Sequence, residues 1–114
     1  MNLIFKIMAV EEWRQAQATG AFTGAEVDRA DGYIHFSTGS QAAETAAKWF
    51  AGRSDLVLAA IDADSLGGAL RWEPSRGGAL FPHLYGLLPL SAVRWTRALP
   101  LGADGRHVLG NLDA

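Results

Sequence analysis

The sequence contains no cysteine, which excludes disulfide bonds, a thiol nucleophile and a thiolate metal site. Its formal net charge is only −2, so it has no general attraction for nucleic acid or for an anionic membrane. No apolar run is long enough to span a bilayer, and no basic and then apolar leader stands at the N-terminus. These absences predict a cytoplasmic protein that binds neither nucleic acid nor a membrane, and they leave the oligomeric state undetermined.

The length of the chain, 114 residues, is typical of one domain, which we predict to span 1–114. Apolar residues make up 49% of the chain and charged residues 19%, proportions typical of a globular protein rather than a disordered one. Residues 102–114 contain three glycines and few apolar side chains, so we predict a poorly ordered tail there. Because the chain has only three histidines, we expect no metal.

Apolar spacing predicts a chain in which strands and helices are mixed. Lys6 lies inside the first predicted strand and is expected at the surface, with its stem over apolar neighbours. Gly20 is a plausible end for the first helix. The apolar residues of 23–31 follow neither the helical nor the strand period. We predict a polar connection there, with at most a short helical turn. The predicted elements are strands over 3–7, 32–37, 56–61 and 93–101, and helices over 10–19 and 38–51.

The strand predicted over 32–37 carries the first candidate functional residues. Side chains alternate between the two faces of a strand, so Tyr33, His35 and Ser37 share one face, opposite Ile34 and Phe36. His35 and Ser37 would then stand ~7 Å apart, close enough to contact one small ligand. The alternative is that His35 satisfies buried backbone groups and has no further role.

Residues 71–86 hold the densest mixture of polar chemistry in the chain. Two short strands, 70–73 and 83–85, are predicted on either side of an ordered loop, because prolines and a glycine pair exclude a helix. Alternation places Arg71 with Glu73, and His83 with Tyr85. Arg76 precedes the glycine pair and could contact a phosphate.

Two segments resemble the hallmarks of a known family, the domain of unknown function 952. They are 31–38, and 71–74 together with 82–86. That family is similar to the ADP-ribosyltransferase fold, in which two small sheets pack around a cleft that binds NAD. The resemblance implies an α+β single domain with small split or strongly bent mixed β-sheets and about two flanking helices.

The resemblance also implies roles for individual residues. His35 and Ser37 match a histidine and a small hydroxyl residue that bind the NAD ribose, and Tyr85 is the candidate for stacking on nicotinamide. Many members of the fold add a late glutamate, but no glutamate follows Glu73 here. Glu73 itself or His83 would then substitute for it.

The function predicted is therefore that of a small ADP-ribosyltransferase-like enzyme or NAD glycohydrolase, with NAD as substrate and a cleft formed by 32–38 and 71–86. The alternative is a non-catalytic module that binds a nucleotide or a phosphorylated small molecule. A weaker alternative is metal-assisted hydrolysis through His35 and His83. The candidate catalytic residues are His35, Glu73 and His83, and the candidate ligand-binding residues are Tyr33, Ser37, Thr38, Arg71, Ser75, Arg76 and Tyr85.

Overall fold

The computed structural model describes residues 2–75 and 77–112. Arg76, a predicted phosphate contact, therefore lies outside the described residues. The helices are α1 (Val10–Thr19), α2 (Glu26–Asp31) and α3 (Ala42–Trp49). The strands are β1 (Leu3–Ala9), β2 (Ala21–Phe22), β3 (Ile34–His35), β4 (Leu56–Asp62), β5 (Leu70–Ser75), β6 (Ala79–Leu84), β7 (Leu88–Pro89) and β8 (Val93–Ala98). Two 3₁₀ segments, Ala63–Ala69 and Leu90–Ala92, complete the elements.

The first sheet has the antiparallel order β1–β4–β8, and its central strand β4 is buried on both faces. Val57, Ala59 and Ile61 face one apolar cluster, whereas Leu58 and Ala60 face another. Every residue of β4 is buried. A strand covered on both faces has no polar side, which explains the continuous apolar run and confirms the predicted central strand.

The second sheet has the antiparallel order β3–β6–β5, and a short connection joins it to the first. The amide of Phe36 donates to the carbonyl of Pro82 in β6, at 3.0 Å. One residue later, Ser37 exchanges two backbone hydrogen bonds with Phe5 in β1, at 2.7 and 2.9 Å. The chain therefore changes partner between Phe36 and Ser37, which connects the two sheets at this point.

The structure confirms an α+β chain with several small sheets and corrects three details. All strand pairs described are antiparallel rather than mixed, a two-stranded β2–β7 sheet is added, and three helices are present within the described residues instead of about two. The predicted strand over 32–37 is only two residues long, because the backbone leaves β6 after Phe36.

Residues 71–86 form a β-hairpin rather than two short strands around a loop. Strand β5 continues to Ser75 and β6 begins at Ala79, so the connection is a tight turn. Gly77 and Gly78 have φ of 82° and 99°, values that only glycine adopts readily. Pro74 lies on the edge strand β5, where its missing N–H breaks no ladder hydrogen bond.

The predicted tail has contacts over its described part. Leu109 and Leu112 pack against the core cluster that contains Leu58, and the Nε2 atom of His107 lies 2.8 Å from the carbonyl oxygen of Arg53. Poor order of 102–114 in solution stays a prediction. Among the described residues, no helix combines the length and the apolar character needed to cross a membrane.

Helix α1 ends at Gly20, as predicted, with φ of 93°. Within the described part of the chain, no atom beyond its chain neighbours lies within 4 Å of a Cβ built there, so an added methyl group causes backbone strain and no steric clash. We expect Gly20→Ala to lower the free energy of unfolding by about 1–2 kcal/mol, the cost of a left-handed non-glycine residue. Gly68→Ala is the matched control, since Gly68 also has open space but no left-handed φ. Equal urea midpoints for the two variants would contradict this account.

Candidate active site

A cleft of about 520 Å³ opens between the two sheets. Five predicted site residues line it: Tyr33, His35, Ser37, Ser75 and His83. The remaining described ones, Thr38, Arg71, Glu73 and Tyr85, are not among the residues that line it. The two histidines are brought together because His35 and His83 pair directly across β3 and β6, with ring centroids 5.4 Å apart.

Asp28 is the centre of the polar network at one end of the cleft. Its side chain is only 1% exposed and lies in α2. Oδ2 accepts from the Lys6 ammonium at 3.0 Å and from the amide of Ala25 at 2.8 Å. Oδ1 lies 2.6 Å from Nδ1 of His35 and also accepts from the amide of His35, at 3.1 Å. One carboxylate thus ties β1, the start of α2 and β3 together.

The electrostatics of this buried group follow from its neighbours. Burial alone would raise the pKa of Asp28, but the hydrogen bond from His35, the charge of Lys6 and two backbone amides together hold that pKa well below its usual value. Burial lowers the pKa of the Lys6 ammonium, and the charge of Asp28 opposes that effect. Because Asp28 is ionised and can only accept, Nδ1 of His35 must carry a proton.

The other ring nitrogen of His35 is the one available for chemistry. Nε2 lies 3.0 Å from Oδ2 of Asp31, whose side chain is 47% exposed. When the imidazole is protonated, it donates one hydrogen bond to each carboxylate. The exposed Asp31 carboxylate can move aside more readily than buried Asp28, so a ligand hydroxyl could take its place at Nε2.

His83 has an analogous arrangement on the opposite strand. Its Nδ1 lies 2.8 Å from Oε1 of Glu73, and the hydroxyl of Tyr85 donates to the same oxygen at 2.8 Å. The hydrogen bond from His83 and then that from Tyr85 lower the pKa of Glu73. Glu73 is therefore an acceptor, so Nδ1 of His83 carries a proton, and Nε2 is an acceptor in the neutral form of the ring. Among the described residues Nε2 has no hydrogen-bond partner, although His83 is only 2% exposed.

Tyr33 supplies the aromatic surface between these groups. Its ring stacks on His83 at 4.2 Å and 30°, and it contacts His35 at 4.7 Å and Tyr85 at 5.2 Å. The Arg71 guanidinium lies 4.9 Å over the ring of Tyr85. Within the lining of the cleft, Tyr33 rather than Tyr85 thus occupies the position suited to stacking on a ligand.

The hydroxyl groups predicted to bind ligand have partners within the protein. Ser37 is buried, and its Oγ lies 2.7 Å from Oγ1 of Thr45. Thr38 begins the turn before α3, where its amide donates to Oε1 of Gln41 at 3.0 Å and its Oγ1 contacts Ser40. His35 and Ser37 both line the cleft, and Ile34 and Phe36 both belong to one core cluster, as the predicted alternation requires, although the chain changes strand partner between Phe36 and Ser37. A ligand-binding role for either hydroxyl stays a prediction.

Sequence reasoning missed Lys6, Asp28 and Asp31 as parts of the site. The prediction of a surface position for Lys6 is wrong, since Lys6 is only 7% exposed. The signal was available: Lys6 alternates with Ile4 and Met8, which belong to one buried cluster, and a buried ammonium requires a carboxylate. The short helix α2 inside the predicted polar connection supplies it. Among the described residues, no group of three or more potential ligands is arranged to hold a metal ion.

Comparisons with known proteins place the chain in a family. The family described as "Protein of unknown function (DUF952)" matches residues 7–96. The crystal structure of protein CC0527 from Caulobacter crescentus is similar, with 56% identity, a TM-score of 0.91 and 95% of each chain covered. A solution NMR structure of CC0527 has 55% identity and a TM-score of 0.86, covering 96% of this chain and 95% of that one. No curated protein matches significantly. The chain therefore belongs to this family of unknown function.

Proposed function

We propose that the protein is a small ADP-ribosyltransferase-like enzyme that uses NAD or a related nucleotide in this cleft. The observation that carries the proposal is the pair of imidazoles, each with Nδ1 held by a carboxylate, that line one cleft beside a tyrosine ring. Fixing one ring nitrogen leaves the other in a defined position for hydrogen bonding or proton transfer.

The proposed chemistry is cleavage of the bond between nicotinamide and ribose C1′. The electron pair of that bond returns to the nicotinamide ring, and an acceptor forms the new bond to C1′. The transition state resembles an oxocarbenium ion, which negative groups stabilise, and Asp28 and Asp31 lie at the same end of the cleft as His35. In this scheme Nε2 of His35 bonds a ribose hydroxyl in place of Asp31, and Tyr33 contacts the leaving ring.

A non-catalytic binding module is the second candidate, and one observation favours it. Glu73, expected to orient the acceptor, is not among the residues that line the cleft, and its Oε1 already receives hydrogen bonds from His83 and Tyr85. A carboxylate in this position serves to orient His83 rather than to contact an acceptor.

The test is a nicotinamide-release assay with NAD, run beside titration calorimetry on the same protein. We expect release of nicotinamide at a rate proportional to enzyme concentration. Binding of NAD without any release on long incubation would replace the enzyme by the binding module. Absence of both binding and release would overturn the enzyme, and failure to bind any nucleotide would remove the binding module as well.

A further inference from the structure

The charges that line the cleft do not suit a phosphate. Among the described residues, four carboxylates line it, Glu12, Glu26, Asp28 and Asp31, together with one ammonium and one guanidinium group, those of Lys6 and Arg53. Both of these basic groups already have partners, since Lys6 pairs with Asp28 at 3.0 Å and Arg53 pairs with Asp55 at 3.1 Å. The carboxylates of the described lining outnumber its ammonium and guanidinium groups, which favours a cationic ligand over an anionic one.

Aromatic side chains make the rest of the cleft suitable for an apolar body. Phe36, Trp49, Phe50 and Phe81 also line it. Aromatic faces attract organic cations through their quadrupoles, and they also bury apolar surface. A ligand that combines a cationic group with an apolar body would match both the carboxylates and the aromatic residues of the lining.

An independent observation points to the same ligand. Nε2 of His83 is buried and has no hydrogen-bond partner among the described residues, and His83 is one of the residues that line the cleft. Its Nδ1 proton is held by Glu73, so in the neutral form of the ring Nε2 accepts and requires a donor. Leaving a buried acceptor without a donor is unfavourable. An ammonium group supplies such a donor, whereas a carboxylate or an ionised phosphate does not.

We propose that this cleft selects an organic ammonium ion with an apolar body, bound between the carboxylates of Glu26 and Asp31 and the Nε2 atom of His83. The inference rests on the proposed function, because it identifies the acceptor of that reaction as an amine. Before attack, one ammonium proton passes to His83. The amine nitrogen then bonds to ribose C1′ as the bond to nicotinamide breaks, and a second proton leaves to solvent. The NAD diphosphate remains outside the group of carboxylates that binds the ammonium ion.

Three probes of one size test the charge preference directly: benzylamine, which is an ammonium ion at pH 7, benzyl alcohol, which is neutral, and benzoate, which is an anion. We expect benzylamine to bind at least about tenfold more tightly than benzoate in titration calorimetry, with benzyl alcohol between them. The preference should weaken as salt concentration rises. Equal affinities, a preference for benzoate, or no binding of any probe at millimolar concentration would overturn the proposal.

Matched variants show which residues cause the preference for an ammonium ion. The double variant Glu26→Gln/Asp31→Asn should reduce the affinity for benzylamine about three- to tenfold and leave that for benzyl alcohol unchanged. Glu44→Gln removes the charge of an exposed carboxylate of α3 that is not among the cleft residues and should change neither affinity. An equal effect of Glu44→Gln would overturn the assignment. Nicotinamide release without ammonium preference would refute only this inference, and ammonium preference without release would refute only the enzyme.

Discussion

Asp28→Asn is expected to lower the free energy of unfolding by about 3–5 kcal/mol, as is typical when one member of a buried ion pair is removed. The substitution keeps the size of the side chain but leaves the Lys6 ammonium buried without a counter-ion. It also weakens the hydrogen bond to Nδ1 of His35 and that to the amide of Ala25. Urea unfolding followed by tryptophan fluorescence measures the change.

The double variant Lys6→Met/Asp28→Asn is the informative control. It removes the charge that Asp28→Asn leaves uncompensated, so it should recover a large part of the lost stability. Asp55→Asn breaks an exposed pair with Arg53 and should leave the urea midpoint unchanged within error. A single variant Asp28→Asn as stable as the wild type would show that the Lys6–Asp28 pair contributes nothing.

The same carboxylate sets the acid limb of the stability profile. The pKa of Asp28 is depressed in the folded state, so its contribution is fully present above the unfolded value of about 3.9 and is lost as the pH falls below it. Unfolding of the wild type should therefore take up a proton at acid pH, and stability should fall with decreasing pH. The double variant Lys6→Met/Asp28→Asn should show a shallower acid limb, measured as the urea midpoint against pH.

His35→Asn is expected to reduce nicotinamide release at least about 100-fold while the protein stays folded. The amide of asparagine can still donate to Oδ1 of Asp28, so the buried carboxylate keeps a partner. What disappears is Nε2, the nitrogen that faces Asp31 and that we assign to the ribose hydroxyl. Release rates and thermal midpoints of wild type and variant, measured side by side, separate chemistry from folding.

His107→Asn serves as the matched control for this variant. It changes the same residue type at a position where Nε2 contacts the carbonyl of Arg53 in the C-terminal segment. It should keep full turnover. Wild-type release rates in His35→Asn would remove His35 from the reaction, and an equal loss in His107→Asn would trace the effect to folding.

Local signals in the sequence predict a good part of the fold. The helix that ends at Gly20 and the apolar strand β4 are predicted from the spacing of apolar residues and the local composition. Both signals depend only on residues close in the sequence. The hairpin of β5 and β6 was not predicted, because the glycine pair was interpreted as part of a loop rather than as a tight turn. Glycine permits both conformations, and the strand pairing on either side selects between them.

The candidate site was predictable only where one strand carried the information. Alternation correctly placed Tyr33 with His35, and the predicted residue His83 meets them because β6 pairs with β3. Asp28 escaped prediction because its partner Lys6 is 22 residues away and belongs to another element. Nothing in the local sequence distinguishes a carboxylate that faces solvent from one that meets a distant buried ammonium.

The change of partner between Phe36 and Ser37 gives the cleft a mechanical property. Phe36 holds to β6 and Ser37 to β1 through backbone hydrogen bonds, so two consecutive residues connect the two walls. A movement that widened the cleft would have to rotate about this short connection or break one of those bonds. Such a pivot keeps the walls at a nearly fixed spacing at Phe36 and Ser37, so any widening is confined to parts of the cleft away from these two residues.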